Sequence, residues 1–212
     1  SESFKEKRSF DQPLWLGKES LEGKTILLYS EQGLGDTLQF SRYVELVSER
    51  GAKVILEVPK SMMLILDGLK GVDSFVAKGD ELPDFDFQCP LMSLPLAFKT
   101  NLETIPAQVP YLFARQDRVQ RWAKHIGSEG FKIGIGWQGS TQGRVDAGRS
   151  FPVSLFEQIA KIEGVRLISL QKNTGVEQLQ NLPLGMHIET LPQDFDAGEG
   201  AFLDSAAVMK CL

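Results

Sequence analysis

The stretch ILLYSEQGLGDTLQFSRYVELV, residues 26–47, sets an apolar strand, a glycine turn and an amphipathic helix in immediate succession. Strand-length apolar runs alternate with helix-length segments along the rest of the chain, as expected for parallel strands joined by crossover helices. The fold class read from this pattern is α/β. KTILLYS forms the first strand, a helix runs from about Asp36 to Arg50 with Leu38, Val44 and Val47 on its apolar face, and Gly51 closes it. KVILEV, VDSFVA and FDFQC supply three further strands, with helices opened by Pro59 and carried by LMSLPLAF. Pro106 and Pro110 make an extended connector.

The same grammar then restarts. RQDRVQRWAKHIGSEG reads as an exposed linking helix, FKIGIGW as a strand, and a polar, glycine-rich loop runs from Gln138 to Arg149. A helix near 152–162, the strand RLISLQ, a short helix near Val176, the strand-like MHIET and a helix over 200–212 complete the chain. Two Rossmann-like units are therefore expected: residues 1–115, a linking helix at 116–130, and a smaller unit at 131–212 with about three strands. An unfinished second sheet leaves an edge open to pairing with another copy, so a homo-oligomer is one expectation.

Composition narrows the function classes. The 212 residues are 42% hydrophobic and 24% charged, and the net charge of -5 is not gathered into a basic block, so nucleic acid is not an expected partner. No apolar run approaches the roughly 20 residues that cross a bilayer, and no signal-peptide pattern opens the chain. Two distant cysteines, Cys89 and Cys211, indicate neither a disulfide framework nor a zinc site. A cytoplasmic location is expected. His125 and His187 lack the spacing of a metal pair, and no metal is assigned.

GLGDTL offers two of the three glycines of a dinucleotide fingerprint, with Glu57 about 20 residues on as a ribose acid. Leu38 replaces the third glycine, and Asp36 would face the pyrophosphate. Two like charges about 5 Å apart at an effective dielectric near 20 repel by roughly 3 kcal/mol. A helix N-terminus offers an anion about 0.3–1 kcal/mol. Repulsion wins, and an NAD or FAD site is disfavoured. Asp36 keeps two readings: a helix cap, or a general base at the carboxyl end of the first strand, where open α/β sheets place ligands.

Four segments, EQGLGDTLQFSRY, IGIGWQGS, RSFPVSLFEQI and LISLQK, together resemble the glycosyltransferase-like domain found beside tetratricopeptide repeats in bacterial proteins, a relative of the lipopolysaccharide heptosyltransferases. The resemblance runs from about Phe10 to the last residue. It implies a GT-B architecture, two facing Rossmann-like domains with acceptor bound mainly by the first and nucleotide-sugar by the second. It implies an inverting, metal-independent transfer in which Asp36, directly after Gly35, deprotonates an acceptor hydroxyl, with Gly33 and Gly35 as substrate-binding residues of the same turn. Gln138, Gly139 and Ser140 would surround the donor's diphosphate, with Arg149 and Lys172 as cations facing the leaving group. No cofactor is expected, since the nucleotide-sugar is a substrate; the acceptor would be a carbohydrate, a lipid-linked sugar or a protein. Relatives continue past the last helix with a strand and an Asp-Thr motif, whereas this sequence stops at AAVMKCL, so a C-terminally incomplete and potentially inactive domain is expected. The rival expectation is a degenerate transferase fold serving as scaffold or sugar-recognition module.

Overall fold

The structure is a computed structural model, and it describes residues 9–139 and 148–212. The chain divides into two units, Ser1–Phe113 with Glu199–Ala201, and Ala114–Gly198 with Phe202–Leu212. Each is α/β and built on a parallel sheet.

In the first unit β1 (Thr25–Tyr29) lies between β2 (Lys53–Val58) and β4 (Phe87–Pro90), with β3 (Ser74–Ala77) outside β2, giving the order β3-β2-β1-β4. Leu27 pairs with Ile55 on one side and Gln88 on the other, and Tyr29 with Glu57 and Pro90. Ile26, Leu27 and Leu28 are fully buried although they point alternately to opposite faces, so both faces of β1 are covered, as an unbroken apolar run in a central parallel strand requires. Leu27, Tyr29 and Ile55 pack with Phe10, Val76, Leu82 and Phe85 on one face. The outer edge of β4 is closed by the amino-terminal segment: the Trp15 N–H donates to the Gln88 carbonyl (2.9 Å), and the Gln88 N–H donates to that of Pro13 (3.1 Å). Gly17 turns this segment away at φ +85°, where a Cβ would meet the Ala97 carbonyl oxygen at 2.0 Å.

The long first helix expected from the sequence is two short ones, α1 (Leu34–Ser41) and α2 (Val44–Ser48), starting at Leu34 with Gly33 as the cap residue. The interruption at Arg42 and Tyr43 has a tertiary cause. The Leu38 carbonyl accepts from the Tyr111 hydroxyl (3.1 Å) and the Ser41 hydroxyl (2.8 Å), and the Gln39 carbonyl from Arg42 Nε (3.0 Å). Tyr43 is buried and packs on Phe98, 6.1 Å between ring centroids. A short 3₁₀ turn leads into α3 (Met63–Leu66) after β2, and another into α4 (Leu94–Ala97) after β4.

The second unit carries α5 (Gln116–Ile126), β5 (Phe131–Ile135), a 3₁₀ turn and α6 (Glu157–Ala160), β6 (Val165–Ser169), a 3₁₀ segment at Val176–Asn181, and α7 (Leu203–Cys211). Here too the sequence reading is corrected. Among the described residues the sheet has two strands, and MHIET contributes a single bridge, Glu189 to Ile168. Its ladder consists of the Glu189 backbone bonds with Leu167 and Ser169, each 2.8 Å. Trp122, Ile126, Ile168, Phe195, Ala207 and Val208 form a core joining α5, α7 and β6. A second core holds Ile135, Trp137, Val153, Leu167, Met186 and Ile188.

Gly134, central in β5, is demanded by this packing: a Cβ there would stand 2.5 Å from Leu212 Cδ1 and 2.8 Å from Leu170 Cδ1. The start of α7 is secured by Asp204, nearly fully buried, whose carboxylate accepts from Arg118 (2.6 Å), the Trp122 indole (2.8 Å) and the Asp196 N–H (2.9 Å). The Asp196 carboxylate answers by accepting the Asp204 and Ser205 N–H groups (2.7 and 3.2 Å). No helix among the described residues is long and apolar enough to cross a membrane.

Candidate functional site

Ligands of open parallel sheets gather at the carboxyl ends of the strands, and most of the expected site residues stand there. In the first unit Asp36 is the third residue of α1, just past the end of β1. Its Oδ2 accepts the Gly33 N–H at 3.0 Å, while Thr37 donates to the Gly33 carbonyl through both its N–H (3.1 Å) and its hydroxyl (3.3 Å). The cap is one-sided, because Gly33 has no side chain with which to reciprocate. Asp36 is half-buried, and its Oδ1 has no hydrogen-bond partner among the described residues. One oxygen thus caps the helix and the other is available. Both readings of this residue coexist in the same geometry.

The two glycines that precede Asp36 differ. At Gly33 a Cβ would lie 3.2 Å from Asp36 Oδ2, and its φ of -70° is open to any residue. At Gly35 a Cβ would meet nothing within 4 Å, and its φ is not positive. A glycine inside a helix costs about 0.5–1 kcal/mol relative to alanine, so neither backbone angle nor packing accounts for Gly35. Its effect is to leave the backbone of the first helical turn bare.

Two further acids lie on this edge. Glu31 is exposed as a residue, yet local desolvation raises its carboxyl above the ordinary carboxylate range. The Cys89 thiol, fully buried at the end of β4, is pushed up to about 12, first by burial and then by the negative charge of Glu31. Glu57, the proposed ribose acid of the disfavoured dinucleotide reading, is 1% exposed and so offers no carboxylate to a ligand at the surface. A cleft of about 390 Å³ in this unit is lined by Gln39, Phe40, Arg42, Tyr43, Leu102 and Ile105 among others, and Asp36 is not among its lining residues.

In the second unit Lys172 is brought to a cleft of about 320 Å³ beyond the end of β6, with Ser169, Gln171, Asn173, Thr190 and Gln193 in the wall. Its ammonium donates to the Phe195 carbonyl at 2.5 Å. Arg149 is exposed, makes no hydrogen bond or ion pair among the described residues, and does not line this cleft. Ser140 lies outside the described residues.

The loop after β5 departs from the expectation of free donors. The Trp137 and Gln138 N–H groups both donate to Gln171 Oε1 at 3.0 Å, and the Gly139 N–H donates to the Ser150 hydroxyl at 3.1 Å. Gln171 in turn donates to the Gln138 and Thr174 carbonyls, each at 2.8 Å. The N–H groups of Gln138 and Gly139 are therefore satisfied within the protein, and a phosphate would have to displace these partners. Gln171 is the residue that the sequence reading missed. Its signal was present in LISLQK, one position before Lys172, but its target lies more than 30 residues earlier. Trp137 is buried, with its indole N–H on the Gly175 carbonyl (2.9 Å), which makes it a packing residue.

Two Asp-x-Asp triplets, a pattern that metal-dependent transferases use, occur in the chain, Asp84-Phe85-Asp86 and Asp194-Phe195-Asp196. Asp86 accepts the Thr25 N–H (2.8 Å) and pairs with Lys24 (3.5 Å), Asp194 pairs with Arg121, and Asp196 caps α7. Among the described residues no group of three or more histidine, cysteine, aspartate or glutamate side chains could hold a metal ion.

No protein-family model matches the chain, and no curated protein matches it at significance. Among solved structures, the glycosyl transferase family 9 protein from Veillonella parvula DSM 2008 is similar at a TM-score of 0.61 and 13% identity, with 91% of this chain and 75% of that one covered. At that identity the likeness concerns the fold, and the fold of this chain is glycosyltransferase-like.

Proposed function

We propose that this chain is a glycosyltransferase domain that moves a sugar from a nucleotide-sugar to a hydroxyl acceptor, with inversion and without a metal. In this reading its two units are the Rossmann-like halves of a GT-B enzyme, the first taking the acceptor and the second the donor. The observation that carries the reading is the family 9 likeness over nine-tenths of the chain. The carboxyl-end positions of Asp36 and Lys172, each matching a role implied by the sequence resemblance, add support.

The chemistry follows from those positions. The uncommitted oxygen of Asp36 takes the acceptor proton as the acceptor oxygen attacks the anomeric carbon. The bond from that carbon to the diphosphate oxygen breaks in the same displacement, which inverts the centre. Lys172 and Arg149 are the cations that offset the charge growing on the departing diphosphate. General-base assistance contributes about 10²–10⁴ in rate. A cytoplasmic setting, helical repeats nearby and self-association belong to the same proposal.

The test is Asp36→Asn, assayed for transfer with a panel of nucleotide-sugars and for nucleotide affinity by calorimetry. Loss of about 10²–10⁴ in turnover with unchanged affinity is expected; turnover within a few-fold of the parent chain removes Asp36 from the mechanism.

A second reading, a transferase fold retained as a scaffold or sugar-recognition module, is favoured by one specific observation: the N–H donors of Gln138 and Gly139 are already occupied. It predicts carbohydrate or protein binding with no turnover of any nucleotide-sugar.

A further inference from the structure

We infer that Arg42 and Tyr111 are positioning residues, a latch that ties the segment around Pro106–Tyr111 to the end of α1 and so fixes the place of Asp36. The inference rests on the reading of Asp36 as proton acceptor. Helix α1 has eight residues, too few to hold its shape without tertiary support. Its amino end is fixed by the Asp36 bond to Gly33 and by Thr37. Its carboxyl end stops at Ser41, leaving carbonyls with no partner from a following turn. Leu38 and Gln39 carry two of these, and a residue some 70 positions away supplies one partner: the Tyr111 hydroxyl donates to Leu38 (3.1 Å), while Arg42 Nε donates to Gln39 (3.0 Å).

The rest of the Arg42 guanidinium faces the connector. Nη1 donates to the Pro106 carbonyl (3.1 Å), Nη2 donates to the Tyr111 oxygen (3.2 Å), and the guanidinium carbon sits 4.7 Å from the centre of the Tyr111 ring. One planar fork thus reaches three acceptors on two segments while stacking on an aromatic face, a geometry that a lysine ammonium does not reproduce. The cleft of about 390 Å³ opens beside Gln39, Phe40 and Arg42, so the helix end lacks close-packed cover on that side. The polar latch, more than side-chain packing, holds it there. Leu38 follows Asp36 by two residues, about 3 Å along the helix axis, so a displaced helix end carries the carboxylate with it. Proton-transfer geometry is sensitive at that scale, since a misplacement of about 1 Å can cost 10²-fold in rate.

The test uses Tyr111→Phe, which removes the hydroxyl and keeps the ring, and Arg42→Lys, which keeps the charge and loses the fork. Hydrogen exchange on the 212-residue chain should accelerate roughly three- to tenfold across residues 34–41 in both variants, with β1 and the second unit unchanged. In a transfer assay kcat should fall about tenfold or more while KM and nucleotide affinity hold, and Tyr111→Phe should add nothing further to Asp36→Asn. Unchanged exchange at residues 34–41 overturns the latch, and an unchanged kcat in an active chain overturns its positioning role. A fall in kcat matched by equal losses in affinity and thermal midpoint also overturns it, in favour of a merely structural contact. A parent chain with no transfer activity, but with faster exchange at residues 34–41 in the variants, refutes the enzyme reading and the positioning of a base while leaving the latch as a feature of the fold.

Discussion

Replacing Asp204 by alanine should cost the second unit a large part of its stability. The carboxylate side chain is 2% exposed and serves three donors at once, Arg118, the Trp122 indole and the Asp196 N–H. Breaking a buried charge pair by removing one partner costs about 3–5 kcal/mol. Each donor left without an acceptor in the interior contributes about 1–3 kcal/mol of that kind of penalty. The guanidinium of Arg118 is 26% exposed and can turn to solvent, which removes part of its share and places the expectation near the lower end, about 3 kcal/mol. For a chain of this size each kcal/mol moves the thermal midpoint by about 2–4 °C, so scanning calorimetry should record a fall of about 6–12 °C in the midpoint of the chain.

The same side chain gives a pH signature. Burial alone would raise its carboxyl, but the bonds from Trp122, Arg118 and the Asp196 amide outweigh burial and hold it below the usual carboxylate range. A folded value below the unfolded one means that the stabilisation is complete above the ordinary aspartate range, about pH 4, and is lost as pH falls through the folded value. The parent chain should therefore lose its advantage over Asp204→Ala in acid and keep it at neutral pH. A midpoint shift below about 2 °C at pH 7, or a difference independent of pH down to acid unfolding, would refute this account of how α7 is anchored.

Three other outcomes follow from packing and burial. Gly134→Ala should destabilise by about 1–3 kcal/mol through overpacking against Leu212 and Leu170, whereas Gly136→Ala, whose Cβ would meet nothing nearer than Gln171 Oε1 at 3.8 Å, should shift the midpoint little; thermal melts of the two variants compare them directly. Gly17→Ala should exceed both, since its Cβ would overlap a backbone oxygen at a positive φ, and a soluble variant with parental stability would contradict the turn geometry. Cys89, fully buried with its thiol pushed up to about 12, should resist a thiol reagent at pH 8 until denaturant is added, with mass spectrometry of the labelled peptides as the readout.

What the sequence made legible was local. An apolar run, a glycine turn and a helical period lie within 20 residues of one another, so β1, the turn and the start of α1 were readable, as were the parallel strands on either side of β1. The break in α1 was not, because its cause is a tyrosine some 70 residues downstream that takes the Leu38 carbonyl. MHIET carries strand-like residues, but a strand needs a neighbour along its length, and Glu189 alone forms a bridge. In the candidate site, the types and positions of Asp36 and Lys172 were visible from motif order. The occupied N–H groups of Trp137 and Gln138 were not, since Gln171 reaches across from beyond the end of β6 to bind them. The Asp-x-Asp triplets show the converse: a motif readable in one dimension is committed in three to the Thr25 amide, Arg121 and the start of α7.

The claim at the centre of this account is that the carboxyl edge of the second sheet receives the diphosphate of a nucleotide-sugar beside Lys172. Calorimetric titration with the uridine, guanosine, adenosine and cytidine diphosphates measures it directly. The account predicts saturable binding of at least one of them, weakened about 10- to 100-fold by Lys172→Ala, the range for losing a charge-assisted hydrogen bond. Binding of none at millimolar concentration, or binding indifferent to Lys172, would contradict it.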